Sequence, residues 1–294
     1  MKFGAVLGEK PIAPRQLSRR DWVKLSAASV ATVGLGCLSY GFLVRDHVEV
    51  SRVEVKIANL PDPFAGLTIA HLSDIHHGPY TSLDYIHRCV EIANGLNPDL
   101  VALTGDFTFG GKRHIEPCAE ALRSLKPRVG VYASLGNHDY YVGAGLVAKA
   151  LRGAGFNLLI DAKDRLESRG DKLWVMGVDD LHYGETDLRS LMREVPREQP
   201  RIVLGHQPDW IEEFAARNKH ADLMLSGHTH GGQIRIPLLG APQTPSEYGQ
   251  RYTMGLVRRD AMQIYTTRGI GTVGVPSRFD CPPEIVLYTL QRAG

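Results

Sequence analysis

Five largely apolar runs in this 294-residue sequence are each followed at once by a short polar turn, and this pattern limits the fold most strongly. The turns carry Asp, Asn or His next to glycine or serine, and the runs begin at Leu67, Leu100, Val131, Ile202 and Leu223. Short apolar runs bounded by such turns are typical of buried strands. Because open α/β sheets bind ligands beyond the carboxyl ends of their strands, we expect the five turns to form one site.

The order of strand and helix patterns predicts a single mixed α/β domain over residues 49–294. Strand patterns cover residues 53–57, 67–72, 100–103, 129–135, 173–178, 202–204, 223–225, 263–266 and 285–290. Helix patterns cover residues 83–95, 115–125, 143–154, 187–193 and 210–217. Alternation in the first half favours parallel strands with covering helices, whereas the strands near the C-terminus favour antiparallel pairing. Two facing mixed sheets accommodate both patterns.

Residues 1–48 are typical of a targeting segment. Arg19 and Arg20 precede Lys24, and an uncharged apolar run follows over residues 25–44. Twin arginines before a mildly apolar stretch resemble a signal for the twin-arginine export machinery. The alternatives are a plain membrane anchor and a buried core helix, although a core helix should show more polar positions at helical spacing. We expect export to the periplasmic side of the cytoplasmic membrane.

The sequence leaves open whether this segment is cleaved. No A-x-A site follows the apolar run, and Leu35-Gly36-Cys37 resembles a lipoprotein site only loosely. An uncleaved run of about 20 residues could span a bilayer and keep the protein associated with the membrane. Its basic flank would then hold the N-terminus in the cytoplasm.

The net charge and the cysteine content argue against a nucleic-acid-binding protein and against a disulfide-stabilised fold. The net charge is only +2 and no long run of one sign occurs, so nucleic acid is not an expected partner. Cys89, Cys118 and Cys281 follow the targeting segment, and none belongs to a C-x-x-C pair, so no disulfide framework is expected. We expect a monomer.

The five turns bring together two carboxylates, one carboxamide and at least four imidazoles. So many ionisable groups cannot be buried together cheaply unless cations pair with them. His and carboxylate ligands suit divalent Mn, Zn, Fe, Ni or Co, and the lack of cysteine ligands argues against a structural zinc site. The Asp-x-His and His-x-His spacings are expected to direct alternate side chains to one side of an extended tip. The candidate ligands are Asp74, His76, Asp106, Asn137, His206, His228 and His230.

Taken in order, these motifs resemble the calcineurin-like metallophosphoesterase superfamily. Asp-x-His, Gly-Asp, Gly-Asn-His-Asp, Gly-His and Gly-His-x-His follow one another between Asp74 and His230. The motifs at residues 227–233 and 265–269 are similar to those of a bacterial branch of exported phosphodiesterases with twin-arginine signals, which includes UDP-diacylglucosamine pyrophosphatases. The resemblance implies a four-layer α/β/β/α sandwich of two mixed sheets, and a phosphodiester or nucleotide-lipid substrate.

The resemblance also implies that the ligands are divided between two metal ions. The first ion would be held by Asp74, His76 and His230. The second ion would be held by Asn137, His206 and His228. Asp106 would bridge them, since a shared anion offsets the repulsion between cations about 3.5–4 Å apart. A water or hydroxide between the ions is then expected to attack phosphorus in line.

The predicted catalytic residues are His138 and Asp139. His138 follows a ligand and is expected to point toward the leaving oxygen, as general acid or transition-state donor. Asp139 either orients that imidazole or caps the next turn. Arg268 either binds a substrate phosphate or pairs with a carboxylate. His71 lies inside a strand pattern and fits no ligand role, so we interpret it as structural.

Two other classes of protein are compatible with these ligands. A catalytically silent module could use the same cage for recognition, although it would not need the additional imidazole of His138. A dinuclear hydrolase of the amidase type also uses Asp and His, and only the resemblance favours phosphoesters over amides.

Overall fold

The computed structural model describes residues 18–20, 22–24, 26, 40–42 and 44–293. The chain divides into two compact units, Met1–Ser39 and Tyr40–Gly294. In the first unit, Arg19 and Arg20 lie in a short helical stretch. Most of the predicted apolar run over residues 25–44 falls outside the described residues, and so does the loosely lipoprotein-like site within it. Among the residues that are described, no helix is both long and apolar enough to cross a membrane.

The second unit contains strands, α-helices and four short 3₁₀ helices in its described residues. The strands are β1 (Glu49–Ile57), β2 (Thr68–Leu72), β3 (Leu100–Thr104), β4 (Gly130–Ser134), β5 (Asn157–Leu158), β6 (Ala162–Ser168), β7 (Asp171–Gly177), β8 (Arg201–Leu204), β9 (Leu223–Ser226), β10 (Gly255–Arg259), β11 (Met262–Thr266) and β12 (Glu284–Arg292). The α-helices are α1 (Leu83–Gly95), α2 (Ile115–Leu122), α3 (Asn137–Val142), α4 (Ala144–Gly153), α5 (Leu188–Leu191) and α6 (Trp210–Ala216). The 3₁₀ helices are Asp62–Phe64, Lys112–His114, His230–Gly232 and Gly249–Tyr252.

The strands form two six-stranded mixed sheets. The first has the order β1-β12-β2-β3-β4-β5, and its strands β2, β3 and β4 are parallel neighbours. The second has the order β10-β11-β9-β8-β7-β6, with β8 and β9 parallel in the middle. The predicted antiparallel pairing near the C-terminus is confirmed in part: β12 runs antiparallel to β2 and β10 to β11, but β12 is also parallel to β1 and β11 is parallel to β9.

Three buried apolar clusters separate four layers. Alternate residues of a strand face opposite sides of its sheet, so Leu103 packs under the helices α1, α2 and α4 while its neighbour Ala102 faces the other sheet. In the second sheet, Leu204 faces the first sheet while Val203 packs against the helices α5 and α6. Full burial of each Val, Leu, Ile or Phe side chain contributes about 1.5–3 kcal/mol. The predicted four-layer α/β/β/α sandwich of two mixed sheets is therefore confirmed.

Candidate metal centre

The seven predicted ligands lie on turns at the carboxyl ends of β2, β3 and β4 in one sheet and of β8 and β9 in the other. Backbone hydrogen bonds join these turns in pairs: Asp74 N donates to Gly105 O at 3.1 Å, and Gly227 N donates to the His206 carbonyl at 3.0 Å. The two sheets meet here as well, because His206 Nδ1 donates to the carbonyl of Thr104 at 2.7 Å. The structure therefore brings together all five turns predicted to converge.

The predicted extended geometry of the Asp-x-His and His-x-His tips is wrong. Asp74 and His76 have φ angles of 53° and 48°, and His228 and His230 have φ angles of 70° and 52°. Asp106 is also left-handed, with φ at 55°. Non-glycine residues rarely adopt this conformation, and such strain is found chiefly at functional sites. Each tip therefore turns away from the direction of its strand, and the turn directs both ligands of the tip toward the clusters.

Gly136, on the turn after β4, has no room for a side chain. A Cβ atom there would lie 2.8 Å from Asp106 N and 2.8 Å from His206 Cδ2, both inside van der Waals contact. Glycine thus lets this turn approach two ligands closely. Any larger residue would push Asp106 and His206 apart.

Asp74, His76 and His230 form the first cluster, with their donor atoms all within 4.8 Å of one another. His76 Nε2 lies 3.0 Å from His230 Nε2, and His230 Nε2 lies 3.4 Å from Asp74 Oδ1. His228 N donates to Asp74 Oδ1 at 2.9 Å, which fixes the carboxylate. All three side chains are buried.

The second cluster contains Asp106, His206 and His228. Asp106 Oδ2 lies 3.1 Å from His206 Nε2, and His206 Nε2 lies 3.2 Å from His228 Nδ1. The same Asp106 oxygen is 3.5 Å from Nε2 of His76 in the first cluster. Asp106 thus stands between the clusters, in the place predicted for a bridging ligand.

An unsatisfied polar atom indicates that this donor set fits divalent cations. The Oδ1 atom of Asn137 is buried with no hydrogen-bond partner among the described residues. A buried orphan acceptor is costly unless a ligand satisfies it. Asn137 begins α3 directly after the turn that follows β4, and its role as a ligand of the second ion stays a prediction.

The ionisation of the imidazoles supports the same interpretation. Burial lowers the pKa of His76 and of His228 to about 3, so both rings are neutral and each keeps a lone pair for a metal. Burial also lowers the pKa of His206, but the adjacent Asp106 carboxylate outweighs this and raises the pKa overall. A cation beside Asp106 would therefore displace a proton from His206.

His138 lies at the edge of the two clusters. Its backbone N–H donates to Asp106 Oδ1 at 2.8 Å, and its half-buried ring makes an edge contact with the His76 ring at 4.8 Å. Its ring atoms also come within ligand distance of His76 and Asp106. Its position is thus compatible with a role as metal ligand and with a role as proton donor. The two roles predict different metal contents for a variant that lacks this imidazole.

Asp139 caps the turn, and the alternative role in orienting His138 is not supported. Its Oδ2 accepts hydrogen bonds from Gly136 N and Asp106 N, both at 2.9 Å, and its Oδ1 accepts one from Phe107 N at 2.9 Å. Burial and, to a smaller extent, the charge of Asp106 raise the pKa of this carboxyl to about 7, although the backbone hydrogen bonds from Gly136 and Phe107 oppose the rise. Asp139 therefore holds two ligand turns together, and its contacts favour a structural role over the predicted catalytic one.

Two other predictions concern residues around the site. Arg268 pairs with Glu49 at 3.1 Å and with Glu284 at 3.2 Å, so of its two predicted roles the structure shows carboxylate pairing. His71 is fully buried and bonded to Tyr288 Oη and Thr104 Oγ1 at 3.0 and 2.7 Å, as expected of a structural residue.

Arg278 was not singled out in the sequence, yet it supports the first cluster. Its guanidinium is completely buried and donates to the carbonyls of Arg268, Gly269 and Gly271 at 2.8, 3.1 and 2.5 Å. Gly271 N donates in turn to the carbonyl of Asp74 at 2.8 Å. An isolated Arg gives no periodic signal, so only the structure reveals this support for the Asp74 turn.

Arg278→Met is expected to lower the free energy of unfolding by about 2–4 kcal/mol, because each buried carbonyl left without a donor costs about 1–3 kcal/mol and some relaxation follows. Urea unfolding measures this directly. The control is Arg123→Met, which removes an exposed pair worth under about 1 kcal/mol. Equal losses in the two variants would show that the guanidinium does not hold the carbonyls.

Comparison with known proteins gives the family: residues 67–232, which include every candidate ligand, match calcineurin-like phosphoesterases. The chain is 31% identical to YkuE, an uncharacterised metallophosphoesterase of Bacillus subtilis, over 94% of this chain and 99% of that protein. It is 32% identical to the phosphodiesterase YaeI of Escherichia coli, over 93% of this chain and 99% of that protein. A transmembrane protein with a metallophosphoesterase domain from Danio rerio is 32% identical over 83% of this chain and 58% of its own length. The chain therefore belongs to the calcineurin-like phosphoesterase family.

Proposed function

We propose that the protein hydrolyses a phosphodiester, or the pyrophosphate of a nucleotide-linked lipid, outside the cytoplasm and with two divalent ions of Mn, Zn, Fe, Ni or Co. The observation that carries this proposal is the position of Asp106 between two clusters of buried ligands. Displacement at phosphorus benefits from two cation sites, since the attacking and leaving oxygens both need stabilisation. The similarity to a relative named as a phosphodiesterase supports the same substrate class.

The charges of the ligands favour an anionic substrate. When bound, the ions would act as Lewis acids on the phosphoryl group and activate water for attack on phosphorus. Asp74 and Asp106 are the only carboxylates among the seven candidate ligands, and Asn137 is neutral. These residues would leave much of the ions' positive charge unbalanced, which attracts a phosphodiester anion more than a neutral amide.

In this proposal His138 donates a proton to the leaving oxygen. Its backbone bond to Asp106 fixes its position relative to both clusters. Its ring is held between the rings of His76 and Tyr141, at centroid distances of 4.8 and 5.0 Å. A positioned imidazole next to the reacting bond is suited to general acid catalysis near neutral pH.

A surface cavity of about 430 Å³ opens beside His138 and supports a substrate larger than a simple phosphate. Phe109, Tyr141 and Val142 give it apolar walls, and Lys112 adds a cation. The ring of Tyr80 stacks on Phe109 at 6.2 Å and extends the aromatic surface. We propose that this cavity accepts the leaving group, whose apolar part would pack on the rings while Lys112 faces further negative charge.

Turnover of matched chromogenic substrates tests the reaction class. The purified full chain is assayed with bis-p-nitrophenyl phosphate, p-nitrophenyl phosphate and a p-nitroanilide, with each divalent metal supplied in turn. We expect metal-dependent cleavage of the diester in preference to the other two. Preferred cleavage of the anilide would favour an amidase, and metal binding without any turnover would favour a silent binding module.

We propose that the catalytic unit is exported by the twin-arginine machinery and works at the outer side of the cytoplasmic membrane. The support is the pair Arg19 and Arg20 before the apolar run over residues 25–44. The similarity to a relative named as a transmembrane protein agrees with a location at a membrane. Export in the folded state would let the buried site load its metals in the cytoplasm.

Replacement of Arg19 and Arg20 by Lys is expected to leave active enzyme in the cytoplasm. A receptor that reads the guanidinium pair would reject Lys, whereas a plain hydrophobic anchor needs only positive charge. Fractionation of cells that make the double variant measures this, with Lys24→Arg as the matched control. Normal yield of the double variant on the outer side would refute the twin-arginine route.

A further inference from the structure

An exposed apolar loop follows the last metal ligand closely. The loop comprises residues 234–240, and we call it the apical loop. At its tip Leu238 is fully exposed (106%) and Leu239 is 71% exposed, while Ile234 and Ile236 are exposed at its base. Burying a Leu side chain contributes about 1.5–3 kcal/mol, so a partner that covers the two exposed leucines at the tip would gain free energy from their burial.

The apical loop is held firmly in its conformation. Ile236 N donates to Gly240 O at 2.8 Å, and Gly240 N donates back to the Ile236 carbonyl at 2.9 Å. Gln250 braces the loop from below, since its Nε2 donates to the carbonyl of Leu239 at 3.1 Å and its Oε1 accepts from Ala241 N at 3.1 Å. These hydrogen bonds fix the loop in a conformation in which Leu238 and Leu239 point outward.

Further exposed apolar residues adjoin the apical loop. Gln233 Nε2 donates to the carbonyl of Val275 at 2.9 Å, and Val275 is itself exposed. Arg235 N donates to Phe279 O at 2.9 Å, and the Phe279 ring makes an edge contact at 5.5 Å with the exposed ring of Tyr40. The apical loop, Val275 and Tyr40 together form what we call the docking surface.

The sequence indicates what covers this surface. Tyr40 is the first residue of the second compact unit, and it belongs to the uncharged apolar run over residues 25–44. A run of that length is suited to a bilayer, and Tyr40, near the C-terminal end of the run, belongs to the docking surface. Tyr is enriched at membrane–water interfaces, and Leu is among the side chains that bind at the boundary of headgroups and acyl chains.

We infer that the docking surface inserts into a lipid bilayer and holds the metal centre against the membrane. The apical loop begins four residues after His230, and Arg235 Nη1 donates to the carbonyl of Gly231 at 2.9 Å, so the loop is tied to the turn that carries His230. This inference goes beyond the proposed hydrolysis, and it is tested by the fluorescence of a label and not by enzymatic turnover. Loss of membrane insertion can therefore be distinguished from loss of hydrolysis.

A fluorescent label at Leu238 tests the inference in the full chain. Leu238→Cys is made together with Cys37→Ser and labelled with a nitrobenzoxadiazole maleimide, since Cys89, Cys118 and Cys281 are buried. The probe is a vesicle of equal parts phosphatidylethanolamine and phosphatidylglycerol, with nitroxide groups on some acyl chains. We expect the emission to shift to the blue and to be quenched by the nitroxides. If the label at position 238 keeps the emission that it has in water, and is not quenched, while the protein is bound to vesicles, the inference is overturned.

The control label is placed at Val129, which is 56% exposed and precedes the amino end of β4, away from the ligand turns. The emission of this label should stay as in water, and it should not be quenched, whether or not vesicles are present. Leu239→Glu should reduce the quenching at position 238 several-fold, whereas Val129→Glu should not change it. Unaltered quenching in Leu239→Glu would contradict apolar insertion. A blue shift without vesicles that grows with protein concentration would assign the surface to a second copy instead.

Discussion

Asp106→Asn is expected to lower kcat/KM for bis-p-nitrophenyl phosphate by about 10³-fold or more, as large as the loss of a group that stabilises transition-state charge. Asp106 Oδ2 lies close to imidazole nitrogens of both clusters, 3.1 Å from His206 Nε2 and 3.5 Å from His76 Nε2. The amide has nearly the same shape and can still accept from His138 N. It carries no negative charge, so two cations would repel each other without compensation.

The variant should keep its fold and lose metal. Circular dichroism and urea unfolding test the first point, and elemental analysis of the metal content per chain tests the second. The matched control is Asp84→Asn, which changes an exposed carboxylate in the first turn of α1. Full activity of Asp106→Asn with two ions still bound would rule out the bridging role.

His138→Ala is expected to lower kcat by about 10²–10⁴-fold while the metal content stays unchanged, because general acid catalysis contributes about that much. The loss should be smaller for a p-nitrophenyl ester than for an alkyl ester, since p-nitrophenolate leaves without protonation. The comparison of two leaving groups separates proton donation from a general disturbance of the site. His87→Ala, an exposed imidazole on α1, is the matched control.

The metal content of His138→Ala decides between the two roles that the structure leaves to this residue. His138 lies within ligand distance of His76 and Asp106. If the variant loses an ion, and if its activity falls equally with both leaving groups, His138 is a ligand and not the acid.

The sequence predicted every interior strand of the two sheets and the edge strand β1, but it missed the other three edge strands. Every strand pattern recognised in the sequence corresponds to an observed strand, with bounds that differ by a few residues. The missed strands β5, β6 and β10 all lie at sheet edges. β6 and β10 alternate exposed and half-buried positions and lack a continuous apolar run, so their pairing depends on a neighbour and not on their own composition.

The candidate metal ligands could be predicted from the sequence, whereas the residues that support their turns could not. The seven candidate ligands were recognised because they recur at strand ends, and strand ends at one edge of a sheet must converge. The helix α3 was missed because it starts at Asn137 itself, where the pattern indicates a turn. The role of Asp139 and the existence of the Arg278 support depend on contacts between distant segments, which leave no periodic signal.

Turnover during a metal titration tests the central claim most directly. The full chain is stripped with a chelator, returned to buffer, and titrated with Mn²⁺ while the hydrolysis of bis-p-nitrophenyl phosphate and the bound metal are recorded together. The two clusters joined through Asp106 predict no turnover without metal and a maximum at two ions per chain. Undiminished turnover of the stripped protein, or full turnover with a single ion bound, would contradict a two-metal phosphodiesterase.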